Sequence, residues 1–372
     1  MMARARFKEL GTGSFFGDLV YERVVAEGHF LRALERVVDW GAFTERLVAL
    51  YRGKARIGRP PYNPVVILKM LVLAYLYDVS ERQTEAYVND SLSGKWFLGL
   101  AVDEAAPDHS TLTAFKRRIT EQAGEACLRD LLEEIIRQAA GAGVAFGSIQ
   151  VVDSTHTVAD VNVAKDDRRQ KKEGKEPRDK GARWGVKGKH KVRDEEGKEI
   201  EVKEYFYGFK AHTSMNSEAQ MITSVVVTAG NQTDGKQFPA LVELDEKHEL
   251  PIEIYTGDRG YDDTENHYLL KSKKLQSSLK LNNYRTQKKD KNKEVWVELL
   301  ASEGYRAGQR ERYKIERKYG EAKEYHGLRR CRYVGRMRYV IQAYLTAIAL
   351  NVKRMVRLLT GTSFKGRATA AG

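Results

Sequence analysis

The spacing of apolar residues changes near residue 147, and this change limits the chain to a fold with two differently built parts. Between residues 60 and 140 the apolar residues recur at the three- and four-residue intervals of helices. Residues 148–153 instead form one short apolar run that ends in an acid. Further runs at 204–214 and 221–229 flank a turn, a pattern that predicts strands and a hairpin. We therefore expect an all-helical unit followed by an α/β unit.

Several helix starts can be placed in the first part. Asn63 followed by Pro64 has the chemistry of an N-cap and a first helical position. Ser80 with Gln83 three residues later has the pattern of a capping box. A third helix is predicted to begin at residues 108–110. The sequence therefore predicts short helices joined by tight turns.

The third helix ends in a basic cluster, Lys116, Arg117 and Arg118, which we predict to be exposed. Short helices that carry such a cluster are typical of helix-turn-helix DNA readers. A plain helical bundle is the alternative, and the sequence leaves both open. In the first case Lys116 and Arg117 are candidate DNA-binding residues.

The second part has the order of a mixed sheet with helices on its faces. After the hairpin we predict helices at 234–244 and 262–274, strands at 252–256 and 276–281, a helix from about 308, and an amphipathic helix at 337–355. Three successive strands followed by alternating helices and strands form the order of a ribonuclease H-like fold. The charged segment 165–193, with 13 Lys and Arg against 5 Asp and Glu, is predicted to be an irregular loop, as is the polar segment 284–305.

The charge balance points to a polyanionic partner. The chain has 64 Lys and Arg against 51 Asp and Glu, a formal charge of +13. Nucleic acid is the commonest partner of such a chain; an anionic membrane surface is the alternative, but no basic amphipathic helix with aromatic anchors is visible. We see no signal peptide and no apolar run of membrane-spanning length, and the two cysteines suit neither a zinc site nor a disulfide framework. We expect a cytoplasmic protein without a membrane partner.

Three acids stand where an acid is unexpected. Asp153 and Asp258 each follow a short apolar strand, although Asp is depleted in strands. Glu316 lies on a predicted helix with Arg312 four residues before it and Lys323 seven residues after it, which places the three on one helical face. Carboxylate oxygens are the ligands of Mg²⁺, and a pair of such ions can activate water and stabilise the leaving oxygen of a phosphodiester. The three acids are therefore candidate metal ligands and catalytic residues.

These residues lie in motifs that resemble those of the DDE transposases of the IS4/IS5/IS1182-like bacterial insertion-sequence group. The matching motifs are VDST at 152–155, YGFKAH at 207–212, GDRGY at 257–261, the run from Arg312 through Glu316 to Lys323, and its continuation at 327–329 and 332–333. Members of this group carry Tyr, Arg, Glu and Lys at fixed spacing in the third motif. Arg312, Glu316 and Lys323 match that spacing, whereas Gln309 stands at the Tyr position.

The resemblance implies a ribonuclease H-like core in which Asp153, Asp258 and Glu316 bind Mg²⁺ or Mn²⁺, with two ions expected. Water would cut the transposon end to free a 3′-hydroxyl, which would then attack target DNA. Arg312 and Lys323 would contact phosphate near the cut. The implied partners are double-stranded DNA, as terminal inverted repeats and as target, and a second copy of the chain on that DNA. The protein would then be associated with the bacterial nucleoid.

On this interpretation the chain has a helical DNA-binding domain at 1–140, a catalytic domain at 147–359 with a basic insertion at 160–203, and a tail at 360–372. Further candidate DNA contacts form a basic cluster close in sequence to the third motif: Arg329, Arg330, Arg332, Arg336 and Arg338.

Other polar residues near the motifs have simpler interpretations. His156 and His212 are more easily structural residues than metal neighbours, and Asp234 is more easily a helix N-cap than a ligand. Two other functions stay open. One is a catalytically inactive, transposase-derived DNA-binding protein, and the other is a ribonuclease H-like nuclease that cuts without joining.

Overall fold

Contacts divide the chain into two units in the computed structural model. The first comprises Met1–Val144 with Tyr344–Gly372, and the second comprises Ala145–Ala343. Structure is described for residues 7–8, 10–11, 15–51, 60–193, 199–287 and 290–364. The last helix, Arg336–Thr360, begins in the second unit and ends in the first, whereas the sequence assigned residues up to 359 to the catalytic domain.

The first unit is helical. Its helices are α1 (Phe15–Val24), α2 (Phe30–Val37), α3 (Thr44–Ala49), α4 (Pro64–Leu76), α5 (Glu81–Asp90), α6 (Leu92–Leu98), α7 (His109–Arg118) and α8 (Gly124–Gly141). Every residue of α4 is buried, so this helix forms the centre of the unit. The one charged residue in α4, Lys69, is paired with Glu35 over 2.7 Å, which reduces the cost of its burial.

The three predicted helix starts in this unit are confirmed by the side chains that cap them. Asn63 Oδ1 accepts a hydrogen bond from the backbone N–H of Val65 at 3.0 Å. Ser80 and Gln83 form both hydrogen bonds of a capping box. Asp108 Oδ1 accepts from the N–H of Ser110 at 2.7 Å. Each cap satisfies N–H groups that have no partner inside the first turn of a helix.

The second unit is built on a six-stranded mixed sheet. Its strands are β1 (Ile149–Val158), β2 (Arg183–Arg193), β3 (Glu199–Asn216), β4 (Ile222–Ala229), β5 (Ile254–Gly257) and β6 (Gln276–Leu279). β1, β3 and β4 pair antiparallel, whereas β1, β5 and β6 pair parallel. With β2 set aside as an added strand, the order is β4-β3-β1-β5-β6. This is the predicted ribonuclease H-like arrangement.

Helices cover both faces of this sheet. The helices of the second unit are α9 (Val163–Glu173), α10 (Phe238–Glu246), α11 (Thr264–Ser272), α12 (Lys293–Ala301), α13 (Glu303–Glu311), α14 (Tyr313–Tyr325) and the first part of α15 (Arg336–Thr360). Val152 packs on one face in a cluster that includes Phe238 of α10 and Leu270 of α11. Val151 packs on the other face with Tyr319 of α14. Because side chains alternate along a strand, Asp153 lies on the α14 face.

A buried carboxylate joins α10 to the sheet. Asp245 is fully buried and accepts hydrogen bonds from Ser214 at 2.6 Å, Thr223 at 2.6 Å, Ser224 at 2.5 Å and Tyr255 at 3.1 Å. Burial raises the pKa of this carboxyl group. Four donors from β3, β4 and β5 converge on one side chain, which fixes α10 over these strands.

Three predictions about this unit were wrong. β1 does not end at Asp153 but continues to Val158, because β3 keeps pairing with it there. The charged segment 165–193 is not a loop. It contains most of α9, capped by Asn162 and Gly174, and β2, which pairs with the first half of β3. The segment 284–305 contains α12.

Candidate active site

Strand register brings the two predicted aspartates together. Val151 of β1 is opposite Thr256 of β5 in a parallel pair. Asp258 has an extended backbone with φ −78° and ψ −176°, so the chain keeps its direction past the end of β5. Continuing the register by two residues places Asp153 beside Asp258. Both side chains are partly buried and lie toward the face that α13 and α14 cover.

The electrostatics of these carboxyl groups reflect that closeness. Burial and the neighbouring Asp258 carboxylate raise the pKa of Asp153 to about 7, against an opposing hydrogen bond from the Ser154 N–H. Burial also raises the pKa of Asp258, with a further contribution from Asp234. The guanidinium of Arg312 acts in the opposite direction on both. Like charges held together in this way are favourable only when a cation balances them.

Glu316 is on the helix that adjoins Asp153, but its side chain is 55% exposed and turned to another partner. Arg312 Nη2 lies 3.0 Å from Glu316 Oε1, four residues along the chain. One turn later, the hydroxyl of Tyr319 donates to the carbonyl oxygen of Asp153 at 2.7 Å. Helix α14 is therefore fixed at Asp153, and Arg312 links Glu316 to the two aspartates.

Gln309, at the position where the resemblance expects Tyr, has a structural role. Its Nε2 is 3.3 Å from Thr256 Oγ1 and also donates to the carbonyl oxygen of Ser278. The adjacent Gly308 leaves room for this contact, since an added Cβ would lie 2.5 Å from Ser278 Oγ. Helix α13 is thereby held against β5 and β6.

The basic residues of the third motif and its continuation are in several environments. Lys323 is partly buried, and burial followed by the charges of Lys187 and Arg329 lowers its pKa. Arg329 pairs with Glu324 at 2.9 Å, and Arg330 with Asp160 at 3.3 Å, both on the surface. The remaining three predicted DNA contacts differ in exposure: Arg332 is partly buried, and Arg336 and Arg338 are exposed.

Lys187 is a basic residue of the charged segment 165–193 that no sequence pattern distinguishes from its basic neighbours. A β-bulge between Val186 and Gly188 interrupts the pairing of β2 with β3 at this residue. Bulges commonly redirect a side chain. Lys187 forms an ion pair with Glu204, and its charge contributes to lowering the pKa of both Lys323 and His156.

The three basic residues at the end of α7 differ in exposure, and Arg118, which was predicted to be exposed, is half-buried with its guanidinium over the ring of Tyr51. Arg117 is exposed, as expected. The predicted exposure of Lys116 is wrong, because this side chain is buried and forms an ion pair with Glu81 of α5. The ammonium group of Lys116 is therefore committed to a carboxylate within the unit.

Asp234 is an acidic neighbour whose role the sequence analysis missed. It precedes the helical turn that leads into α10, but its side chain makes no capping hydrogen bond. Instead Asp234 Oδ1 pairs with Lys210 Nζ at 2.8 Å and lies 3.6 Å from His212 Nδ1. The N-cap interpretation was therefore wrong. The YGFKAH motif carried the signal, since it supplies both Lys210 and His212.

The residues present fit a divalent cation of the Mg²⁺ or Mn²⁺ type. Two carboxylates on adjacent strands offer hard oxygen ligands, and the charge of Asp258 helps to raise the pKa of Asp153 in the absence of a positive charge. Glu316 would have to exchange its contact with Arg312 to join them. Among the described residues, the group of three possible ligands whose ligand atoms all lie within 4.8 Å of one another is elsewhere, at Glu85, Asp108 and His109 in the helical unit, where Asp108 already serves as a cap.

Comparison with known families identifies the arrangement. A family model described as "Transposase DDE domain" matches residues 145–352, more than half of the chain. The chain belongs to the DDE transposase family. A second model, "Transposase domain (DUF772)", matches residues 19–118 of this transposase, within the helical unit. The two matches together indicate the IS1182-like group, in agreement with the resemblance seen in the motifs.

Two of the solved structures that are similar to this DDE transposase are transposase complexes. One is piggyBac transposase in a synaptic complex with hairpin DNA, at 10% identity and a TM-score of 0.42, covering 97% of this chain and 80% of that chain. Another is a Mos1 transposase paired-end complex with the left transposon end, at 10% identity and a TM-score of 0.20, covering 76% of this chain and 87% of that chain.

Across the described ranges, no helix combines the length and the apolar character needed to cross a membrane.

Proposed function

We propose that this transposase cuts the ends of its own element to free 3′-hydroxyls and joins them to target DNA, with Asp153, Asp258 and Glu316 as the metal-binding and catalytic residues. The observation that carries the proposal is the parallel pairing of β1 with β5, which places Asp153 beside Asp258 under helix α14. The family match over residues 145–352 supports the same chemistry.

The three acids would hold two Mg²⁺ or Mn²⁺ ions. Ions bound there would make water a better nucleophile and stabilise charge on the leaving oxygen. The protein's own contribution is to keep the carboxylates in place before substrate arrives. Hydrogen bonding fixes the backbone of Asp153 to Tyr319, and Asp258 accepts from the N–H of Gly260 at 2.8 Å.

Basic residues around the acids would hold the phosphates of the cut strand. The positive charge of Arg312 is close enough to both aspartates to lower their pKa values. Lys323 is also near, since the charge of Asp153 acts on its pKa. Glu316 would have to give up its contact with Arg312 to help hold the metal, and the guanidinium of Arg312 would then be available to bind phosphate. Arg329, Arg330 and Arg332 would extend this contact along the DNA. The helical unit, with Arg117 exposed, would bind the terminal inverted repeats.

Joining two ends to one target requires both ends in one complex, and we propose that a homodimer assembles on the DNA. Each chain would then act on one terminal repeat. The partner is double-stranded DNA in the bacterial cytoplasm, at the nucleoid. Contact with several phosphates would make binding weaken steeply with salt, with log K falling against log salt by about 0.9 for each phosphate neutralised.

A cutting and joining assay tests this function. Full-length protein is incubated with Mn²⁺, a labelled duplex that carries the DNA flanking the gene, and a supercoiled target plasmid. We expect cuts at one defined position and joined products from the wild type, and neither from Asp153→Asn. Glu246→Gln is the matched control, because this carboxylate pairs with Lys273 on the surface.

The two other functions correspond to different products in the same assay. Cuts without joined products would support a ribonuclease H-like nuclease. Binding of the flanking DNA without cuts, in wild type and variant alike, would support an inactive DNA-binding protein and overturn the proposed function.

A further inference from the structure

A fourth carboxylate lies next to the proposed triad and belongs to none of the recognised acidic positions. Asp234 is in the connection between β4 and α10, and its side chain is 22% exposed. An acid in this position disfavours the metal-free site, so its presence needs a reason.

The backbone at Gly260 shows how closely Asp234 approaches Asp258. A Cβ atom added to Gly260 would lie 3.0 Å from Asp258 Oδ1 and 3.6 Å from Asp234 Oδ2. The two carboxylates therefore flank the same backbone point. The carbonyl oxygen of Gly260 is also close to Gly235, where an added Cβ would lie 2.8 Å away. The chain segments that carry the two acids are thus in direct contact.

Lys210 holds Asp234 in this place. Its ammonium group donates to Asp234 Oδ1 at 2.8 Å and to the carbonyl oxygen of Gln232 at 3.0 Å. Both contacts are to the connection between β4 and α10. Among the described residues, Lys210 and His212 lie nearest to Oδ1, whereas Oδ2 is the oxygen that lies beside Gly260 and Asp258.

A buried histidine, His212, also lies next to Asp234. His212 is fully buried, and its Nε2 lies 2.8 Å from Thr228 Oγ1. Among the described residues its Nδ1 has no hydrogen-bond partner, and it lies 3.6 Å from Asp234 Oδ1, beyond hydrogen-bond distance. A buried polar atom without a partner is costly and commonly marks a place where a bound polar group completes the set.

We propose that Asp234 is a fourth carboxylate of the divalent-cation site, held beside Asp258 by Lys210. This inference rests on the proposed function, because it assumes that Asp153 and Asp258 bind the cation. Asp234 Oδ2 contributes to the site either directly or through a water bound to the cation. The buried imidazole of His212 lies on the other side of Asp234, next to Oδ1. Residues that contact metal ligands without binding the metal themselves commonly strengthen metal affinity.

Mn²⁺ binding to the full-length protein without DNA tests the inference apart from catalysis. Free Mn²⁺ is measured by electron paramagnetic resonance in a titration of wild type, Asp258→Asn, Asp234→Asn and the control Glu246→Gln. We expect Asp234→Asn to weaken Mn²⁺ binding roughly 10- to 100-fold, as loss of an adjacent metal-site group does. Glu246→Gln should leave the affinity unchanged.

A double variant covers the possibility that Asp234→Asn disturbs the fold by leaving Lys210 without its partner. Asp234→Asn with Lys210→Met removes both charges of the pair, and it should show the same loss of Mn²⁺ affinity with an unchanged melting temperature in EDTA. Wild-type affinity in the double variant would overturn the role of Asp234 while leaving the triad intact. Equal affinity in wild type and Asp258→Asn would instead overturn the proposed metal site itself, and this inference with it.

Discussion

The hydroxyl of Tyr319 donates a hydrogen bond to the carbonyl oxygen of Asp153 at 2.7 Å, and it lies 2.6 Å from the hydroxyl of Thr213. This contact joins α14 to β1 and β3 at the residue where the proposed chemistry is centred. Glu316 is three residues before Tyr319, nearly one turn earlier on the same helix. The position of Glu316 relative to Asp153 therefore depends on a tyrosine that has no chemical role of its own.

Replacing that tyrosine should loosen the helix at the site. Tyr319→Phe removes the hydroxyl and leaves the buried Thr213 and the Asp153 carbonyl without this partner, which should cost about 1–3 kcal/mol of unfolding free energy. The matched control is Tyr325→Phe, an exposed tyrosine near the end of the same helix. The midpoint of urea unfolding of the second unit is measured for both variants. Equal midpoints for the two variants would contradict the anchoring role of Tyr319.

The pKa of Asp153 makes the metal-free protein sensitive to pH. Folding raises this pKa to about 7, so the folded chain holds the proton more tightly than the unfolded chain does. Stability is therefore greatest below the unfolded pKa and is lost as pH rises toward 7 and beyond. In EDTA, Asp153→Asn should be more stable than wild type at pH 8, by on the order of 2 kcal/mol because solvent contact reduces the full effect.

Melting temperatures in EDTA between pH 4 and pH 8 check this dependence on protonation. The difference between wild type and Asp153→Asn should disappear at the acidic end of the range. Mn²⁺ at pH 8 should raise the melting temperature of the wild type more than that of the variant. Parallel pH profiles for the two proteins would contradict the electrostatic interpretation of the site.

The two neighbouring basic residues of α7 should behave differently when they are replaced. Lys116→Met removes the cation that pairs with Glu81, whose side chain is only 12% exposed, and this should cost about 3 kcal/mol of stability. Arg117→Ala should leave stability unchanged. If α7 contacts DNA, Arg117→Ala should also weaken binding to the terminal repeat and reduce the slope of log K against log salt by about 0.9.

Thermal unfolding and a salt titration of DNA binding separate these effects. Unchanged DNA affinity in Arg117→Ala, with the protein fully folded, would remove α7 from the DNA-binding surface. A Lys116→Met protein as stable as wild type would contradict the ion pair with Glu81.

Local chemistry explains which parts of the fold were predictable. Asn63, Ser80 and Asp108 each cap a helix through contacts within three residues, so the signal and its partner lie in the same short stretch. The order of strands was also predictable, because apolar runs such as that ending at Asp153 alternate with helical patterns. The ribonuclease H-like sheet followed from that order.

The errors come from partners distant in the chain. Lys116 looks like a solvent-exposed lysine until α5 brings Glu81 to it, 35 positions earlier in the sequence. The charged segment 165–193 lacks apolar periodicity, yet β3 supplies the pairing that makes β2 a strand. The same limit applies to the site. Asp153 and Asp258 could be proposed from their motifs, but the link from Asp234 to Lys210 requires the folded connection between β4 and α10.

Glu316 is the sharpest test of the proposed catalytic centre, because this acid pairs with Arg312 in the structure and must change partners to join Asp153 and Asp258. Cutting of the element's end in Mn²⁺ is measured beside end binding for wild type and Glu316→Gln. We expect binding to stay close to wild type while cutting falls by more than the roughly 10- to 100-fold typical of a residue that contacts a metal ligand without binding the metal. Cutting at the wild-type rate in Glu316→Gln would contradict the assignment of Asp153, Asp258 and Glu316 as one catalytic centre.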